Sequence, residues 1–281
     1  MKVQVAIDKA AARLETAGVP DAGRDAQSLA ARALEWSALD LIGRNAEDFP
    51  PYRKRKFDEM VARREKREPL QYVTGSVAFC GLRLAIDRRA LIPRPESEAL
   101  VEEVMRFRND QPARMLDVCT GSGAIALAVK HGWEELSVYA SDISREALQL
   151  AAQNARKLKL EVQFLQADLF RPFLKPFRVI TVNPPYVAEP EFATLQAEVR
   201  DWEPRGALVA GAEGLDVLDR IPGEAARLLW PGGLLAVELA PAQAKGFADS
   251  LDRVRAFDSI RVLKDFQGLD RIVVAHRWKN S

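Results

Sequence analysis

Arg114-Met115-Leu116-Asp117-Val118-Cys119-Thr120-Gly121-Ser122-Gly123-Ala124-Ile125-Ala126 contains a whole structural unit in thirteen residues. Arg114 to Val118 has the length and apolar character of a buried strand, and Ala124 to Lys130 reads as the helix that follows it. Between them, glycines let the backbone approach a ligand closely, and the helix N-terminus adds directed N–H groups. The spacing alone does not name the ligand, because Gly121-Ser122-Gly123 followed by Ala126 also satisfies the relaxed dinucleotide fingerprint.

Downstream the alternation continues. Leu136 to Ala140 reads as a strand, and Ser144 to Lys157 as a helix capped by Ser144. Val162 to Gln166, Phe177 to Val182 and Leu234 to Leu239 are further strands, with a helix from about Leu215 to Leu229 before the last. The tail, Ser259 to Val262 and Arg271 to Ala275 around Gly268, reads as a closing hairpin. The pattern predicts an α/β fold: an open, mostly parallel Rossmann-like sheet with helices on both faces, whose ligands bind beyond the strands' carboxyl ends.

Upstream, residues 3–67 read as four helices. Val3, Ile7, Ala10, Leu14 and Ala17 form the first apolar stripe, followed by segments at Asp21 to Leu34, Ala38 to Ile42 and Tyr52 to Arg67. The last carries eight basic residues against Asp58, Glu59 and Glu65, which suits either a solvated face or a docking patch for a nucleic-acid-rich or acidic partner. Residues 71–92 alternate and are broken by glycines, suggesting a β-hairpin. In Leu91-Ile92-Pro93-Arg94-Pro95-Glu96-Ser97-Glu98, two prolines project Arg94, and Ser97 is placed to cap the next helix. The expected organisation is a helical recognition module at 1–70, a hairpin linker at 71–92 and a sheet domain at 93–281.

Composition excludes several classes. With 281 residues, 48% hydrophobic and 29% charged, the chain can build a sizeable core. A net charge of +1 creates no global field toward nucleic acid, and no stable nucleic-acid binding is expected. Cys80 and Cys119 are the only cysteines and suit a reducing compartment. His131 and His276, the only histidines, offer neither metal-site spacing nor a triad. The start has no signal-peptide core and no apolar run reaches membrane length, so a cytoplasmic protein without a membrane partner is expected.

Three more loops lie in register with the glycine loop. Asp142 ends the second strand about 20 residues on, where an acid can bind ribose hydroxyls. Asp168 ends the third, placed to accept from an adenine amino group while Leu169 and Phe170 wall the ring. The fourth strand ends in Asn183-Pro184-Pro185-Tyr186. Proline has no N–H, so this loop presents carbonyl acceptors without competing donors, beside the Asn183 side-chain carbonyl. Its natural guest is a planar group with two N–H donors, which Tyr186 can cover. A nicotinamide enzyme would need a proton donor near this loop, and no histidine lies there. An adenosyl donor without phosphates, carrying a sulfonium methyl, fits better, which indicates S-adenosylmethionine.

The order of motifs resembles the HemK/PrmC family of methyltransferases, which modify the glutamine of the Gly-Gly-Gln loop in class-1 peptide chain release factors. The similarity runs through Arg67 to Tyr72, Leu91 to Glu98, the glycine loop, Asp142, Asp168, Asn183 to Tyr186, and Gly214-Leu215-Asp216. It implies an S-adenosylmethionine-dependent protein-glutamine methyltransferase acting in translation termination. The donor would lie on Cys119, Thr120, Gly121, Ser122, Gly123, Asp142, Asp168, Leu169 and Asn183. The glutamine would meet Asn183, Pro184, Pro185 and Tyr186, with Arg94 nearby. The same Asn-Pro-Pro-Tyr loop serves methyltransferases of adenine or cytosine amino groups, which remain an alternative. A sister family acting on a ribosomal-protein glutamine is expected to read Pro-Arg-Ser-Pro where this chain reads Pro-Arg-Pro; that substrate also stays open. A binding module that keeps the donor fold without turnover is a third alternative.

Chemistry accounts for the loop independently. A carboxamide nitrogen is a poor nucleophile because its lone pair is delocalised. Asn183 Oδ1 and the Pro184 carbonyl, each accepting one N–H, would orient it, and such positioning supplies up to roughly 7–11 kcal/mol in well-aligned systems. Three residues depart from the family pattern. Cys119 and Ala240 stand where glycine is expected, and Cys80 where an aromatic is expected. At Cys119, either the backbone is ordinary or the pocket is tighter.

Overall fold

The computed structural model describes residues 1–109 and 113–279. The chain divides into two compact units, one of residues 1–76 with Gln196–Trp202 and one of the remainder.

The first unit is helical: α1 (Val3–Thr16), α2 (Ala22–Leu34), α3 (Ala38–Gly43), α4 (Pro51–Glu65) and α5 (Leu70–Thr74). Val3, Ala6, Ile7, Ala10 and Leu14 put one stripe of α1 into a core shared with Leu29, Phe57 and Val61. Ser37 and Asp40 close a capping box on α3, and Pro51 opens α4 where a missing N–H costs nothing. The strand character expected over 71–75 is replaced by the single turn α5. Pro69 precedes it and Gly75, in the left-handed region at φ +73°, ends it, so local capping overrides the alternating pattern.

Most of the basic residues around α4 are committed to acids inside this unit. Arg53 pairs with Glu35, Lys54 with Asp58, and Arg63 with Glu68. Arg64 is buried, bonding Asp25 at 2.7 Å and Glu198 at 2.9 Å. Arg67 grips both oxygens of Glu198 at 2.7 Å. Burial pushes the Glu198 carboxyl up, but hydrogen bonds from Arg67 and Arg64 outweigh it and hold it below its usual value. Through Glu198, the helical turn α9 (Ala197–Arg200), numbered by its place in the chain, belongs to this unit.

In the second unit, which begins one residue into β1 (Ser76–Phe79), β1 and β2 (Leu82–Ala85) form a hairpin on a Cys80-Gly81 turn. Both turn residues have positive φ, +45° and +75°, as a two-residue primed turn requires. Then follow α6 (Glu98–Phe107), β3 (Arg114–Val118), α7 (Ala124–Gly132), β4 (Ser137–Asp142), α8 (Arg145–Leu158), β5 (Val162–Gln166) and β6 (Phe177–Val182). The unit ends with α10 (Ile221–Leu228), β7 (Leu229–Glu238), α11 (Ala244–Val254), β8 (Phe257–Lys264) and β9 (Asp270–Arg277).

The seven strands are ordered β5-β4-β3-β6-β7-β9-β8. β5 through β7 run parallel, and β9 is antiparallel to both neighbours. Alternate residues feed two cores. Met115, Val179 and Ala236 face one with α6 and α7, whereas Leu116, Ile180 and Val237 face the other with α10 and α11. From β3 the chain proceeds outward to β5 and then returns to β6 on the other side. The β3–β6 boundary is therefore the topological switch point, where open α/β sheets bind ligands. Among the described residues no helix is long and apolar enough to cross a membrane.

Candidate active site

A cavity of about 490 Å³ lies at the carboxyl ends of the parallel strands, within the size range of small-molecule sites. The turn after β3 supplies Cys119, Thr120, Gly121 and Ser122 to its wall. Beneath them Asp117, with no solvent exposure, is the common acceptor of the Thr120 hydroxyl at 2.6 Å and the Thr181 hydroxyl at 2.7 Å. Asp117 and Thr181 are register partners across β3 and β6, so this carboxyl pins the glycine loop to the neighbouring strand. Burial raises its pKa to about 6, against the pull of both hydroxyls and the Ala126 N–H. Asn154 of α8 adds a second clamp, donating to the Ser122 carbonyl and exchanging hydrogen bonds with the Ala85 backbone.

The two loop glycines do different work. A Cβ on Gly121 would meet nothing within 4 Å, so its backbone stays open to a ligand. A Cβ on Gly123 would lie 3.1 Å from the Ala151 side chain, so this glycine allows α7 and α8 to approach. Gly123 is a packing residue and does not line the cavity. Cys119 resolves the choice left by the sequence: its backbone is not ordinary but left-handed, at φ +58°. Ala240, by contrast, sits at φ −69°, where glycine is not needed. Burial drives the Cys119 thiol far above its usual range, so it is a neutral wall.

Asp142 lines the cavity, with one oxygen accepting from the Gly121 N–H at 2.8 Å and the other from Ser144 at 2.9 Å. Burial pushes its pKa up despite these backbone donors, and further lone-pair capacity remains for a hydroxyl group. Asp168 and Leu169 line the opposite wall. Arg220 holds Asp168 at 2.9 Å and lowers its pKa by that hydrogen bond. Phe170, expected beside Leu169 on a ring, is instead buried in the core with Phe177 and Leu228, where its full area leaves water.

Asn183 and Pro185 close the far end of the cavity. The Pro184 ring is buried behind them and Tyr186 packs on the core, so neither side chain lines the space. Burial raises the Tyr186 hydroxyl to about 12, so it stays neutral. Gln243 donates to the Tyr186 carbonyl at 3.0 Å and to that of Gly214 at 3.2 Å. Gly214 has no alternative here: a Cβ would fall 2.3 Å from the Tyr186 carbonyl oxygen. Arg94 lies outside the cavity wall, bonded at 2.5 Å to Glu203, which also accepts from the Ile92 N–H. Ser97, expected as a helix cap, makes no cap hydrogen bond; its hydroxyl accepts from Asn183 Nδ2 at 3.2 Å instead.

Residues 6–75 match the PrmC N-terminal domain and residues 96–200 match the methyltransferase small domain. A release factor glutamine methyltransferase of Deinococcus radiodurans is 39% identical over 278 residues, covering 99% of each chain. The enzyme of that name from Moorella thermoacetica is 38% identical over 285 residues, again covering 99% of each chain. The chain belongs to the release factor glutamine methyltransferase family. It is an S-adenosylmethionine-dependent methyltransferase, and the donor fits the site: open glycine backbone, a carboxylate with spare acceptors and an apolar wall share one cavity. A solved methyltransferase from Pyrococcus furiosus shares the fold, with a TM-score of 0.53 and 16% identity over 70% of this chain and 90% of that one.

Asp117, Asn154, Gln243 and Glu238 were not singled out from the sequence. An acid inside an apolar strand was the available signal for Asp117 and for Glu238, and an asparagine on the apolar stripe of α8 for Asn154. Gln243 had none.

Proposed function

We propose that this enzyme methylates the side-chain amide nitrogen of the glutamine in the Gly-Gly-Gln motif of class-1 peptide chain release factors. The observation that carries the reading is the one cavity that joins the glycine loop, Asp142 and Asp168 to Asn183 and Pro185. Relatives named for release factor glutamine methylation, matching across the full chain, supply the substrate class.

S-adenosylmethionine supplies an electrophilic methyl group on a sulfonium sulfur. Cys119 to Ser122 cradle the donor, Asp142 accepts from its ribose hydroxyls, and Asp168 with Leu169 receives its adenine. Asn183 Oδ1 and the Pro184 carbonyl accept the two N–H groups of the glutamine carboxamide and aim its nitrogen at the methyl. Pro184 and Pro185 offer no competing donor. Acceptors on both hydrogens also stabilise the positive charge that develops on nitrogen. Methylation makes the nitrogen far more acidic and water then takes the proton, so no histidine base is required. Tyr186 stiffens the loop from below. The helical unit and the segment of Arg94 serve recognition of the release factor.

Transfer of tritiated methyl to a release factor, compared with its Gln→Ala variant in the Gly-Gly-Gln loop, tests this. Labelling lost with the glutamine is expected. Equal labelling of the two, or labelling of nucleic acid with unlabelled release factor, overturns the substrate.

A further inference from the structure

Glu238 ends β7 with 1% of its surface exposed, and among the described residues its Oε2 is one of two buried side-chain polar atoms without a hydrogen-bond partner. An unpaired buried carboxylate oxygen is costly, and sequences keep such groups mainly where function uses them. The surroundings indicate the use. Asn183 follows the β6 residue registered with Val237, so it sits beside Glu238, and the Ser97 hydroxyl and the Asn183 amide both favour the ionised Glu238 carboxyl against burial. Asn183 Nδ2 donates to Ser97 Oγ. Ser97 and Asn183 thus form a hydrogen-bonded pair in the cavity wall, with the Glu238 carboxyl behind it. A carboxylate accepts only, so the amide must turn Nδ2 toward it; the reverse orientation would set Asn183 Oδ1 against negative charge. Fixing Nδ2 inward leaves Oδ1 as the group free to meet a guest.

We propose that Glu238 is a positioning residue for methyl transfer, acting with Ser97 to lock the Asn183 carboxamide with its oxygen toward the substrate. The proposal rests on the reading of Asn183 as acceptor for the glutamine N–H. It also gives Ser97 a role that its failure to cap α6 leaves open. The ionised form of Glu238 is the stronger acceptor, and burial raises its pKa to about 7. Arg271 on β9 opposes that rise and Glu96, before α6, adds to it. Tyr186, from the loop after β6, faces the same carboxyl but is itself raised to about 12 and stays neutral. Protonation of Glu238 near neutrality therefore loosens Asn183, and kcat should rise with pH through about 7 to a plateau.

The test measures kcat, KM, donor affinity by calorimetry and the pH profile for wild type, Glu238→Gln, Ser97→Ala and Asn183→Ala, with melting curves to confirm folding. Glu238→Gln is expected to lose roughly ten- to a hundredfold in kcat, the scale of a charge-assisted hydrogen bond. Donor affinity should stay within about threefold, and the acidic limb of the profile should vanish. Ser97→Ala should weaken kcat less and be non-additive with Glu238→Gln. A Glu238→Gln enzyme with wild-type kcat and an unchanged profile, beside an inactive Asn183→Ala, overturns the positioning role alone. So does a parallel loss of donor affinity. An active Asn183→Ala overturns the reading beneath it.

Discussion

Asp117 and Glu238 are acids of opposite character on the two strands, β3 and β7, that flank β6. Each ends or nearly ends a parallel strand, and they are exposed by 0% and 1%. Burial lifts their pKa values to about 6 and about 7. Asp117 has the Thr120 and Thr181 hydroxyls, one on each oxygen, and the Ala126 N–H. Glu238 keeps one oxygen without a partner. A buried carboxyl with a donor on each oxygen is a fastener, whereas one with an oxygen left over beside Asn183 has, on the proposed reading, the place of a control element. On the proposed reading, the glycine-loop half of the site, which holds the donor, is built for rigidity, and the Asn183 half, which holds the acceptor, carries a titratable group behind its key side chain.

The sharpest way to break this contrast is Asn183→Ala. On the proposed reading it removes the acceptor for a substrate N–H, so methyl transfer should fall by roughly 10²–10³, the scale of losing one transition-state hydrogen-bonding group. Donor affinity should change by no more than a few-fold in calorimetry. A large loss of donor affinity would move Asn183 to the donor half.

Asp117→Ala should act on stability instead. It strips two buried hydroxyls and one N–H of their shared acceptor, at about 1–3 kcal/mol for a group left unpaired, so about 3 kcal/mol in all is expected from urea unfolding. If the variant unfolds like wild type while activity collapses, Asp117 belongs with Glu238 and the contrast fails.

Glu238→Gln has the opposite sign. The folded chain holds the Glu238 proton up to about pH 7, whereas the unfolded chain releases it near 4.5. Between those values the folded state binds more protons, so stability falls as pH rises through the window and stays reduced above it. Glutamine has no such loss. The variant should therefore melt higher than wild type above pH 7 and at the same temperature at pH 4, by roughly 2–4 °C for each kcal/mol regained. A variant that melts lower at pH 8 would mean the ionised carboxyl is a net stabiliser.

Much of this was legible in the sequence because each strand of the parallel sheet ends in its own loop, and local residues determine the loop. Glycines, acids and prolines at those ends mark the cavity without knowledge of strand order. Residues 71–75 read as strand because tyrosine and valine alternate with polar side chains, yet Pro69 and Gly75 confine the stretch to one helical turn. Glu238 and Ser97 lie far apart in sequence and are brought together where α6 packs on β7. Nothing local identifies that meeting. The same holds for Glu198, whose place in the helical unit depends on Arg64 and Arg67 more than a hundred positions earlier.

The smallest effect separates two departures that look alike in sequence. Cys119 and Ala240 both stand where the family pattern has glycine, but only Cys119 occupies the left-handed region, at φ +58° against −69°. A side chain there costs about 1–2 kcal/mol, while glycine adds about 0.5–1 kcal/mol of unfolded-state entropy. Cys119→Gly should therefore stabilise by about 0.5–1 kcal/mol, and Ala240→Gly, which relieves no strain, should destabilise by about as much. Paired melting curves distinguish the two. Equal shifts would mean that the glycine loop tolerates Cys119 without strain and that the donor half is less rigid than its hydrogen bonds imply.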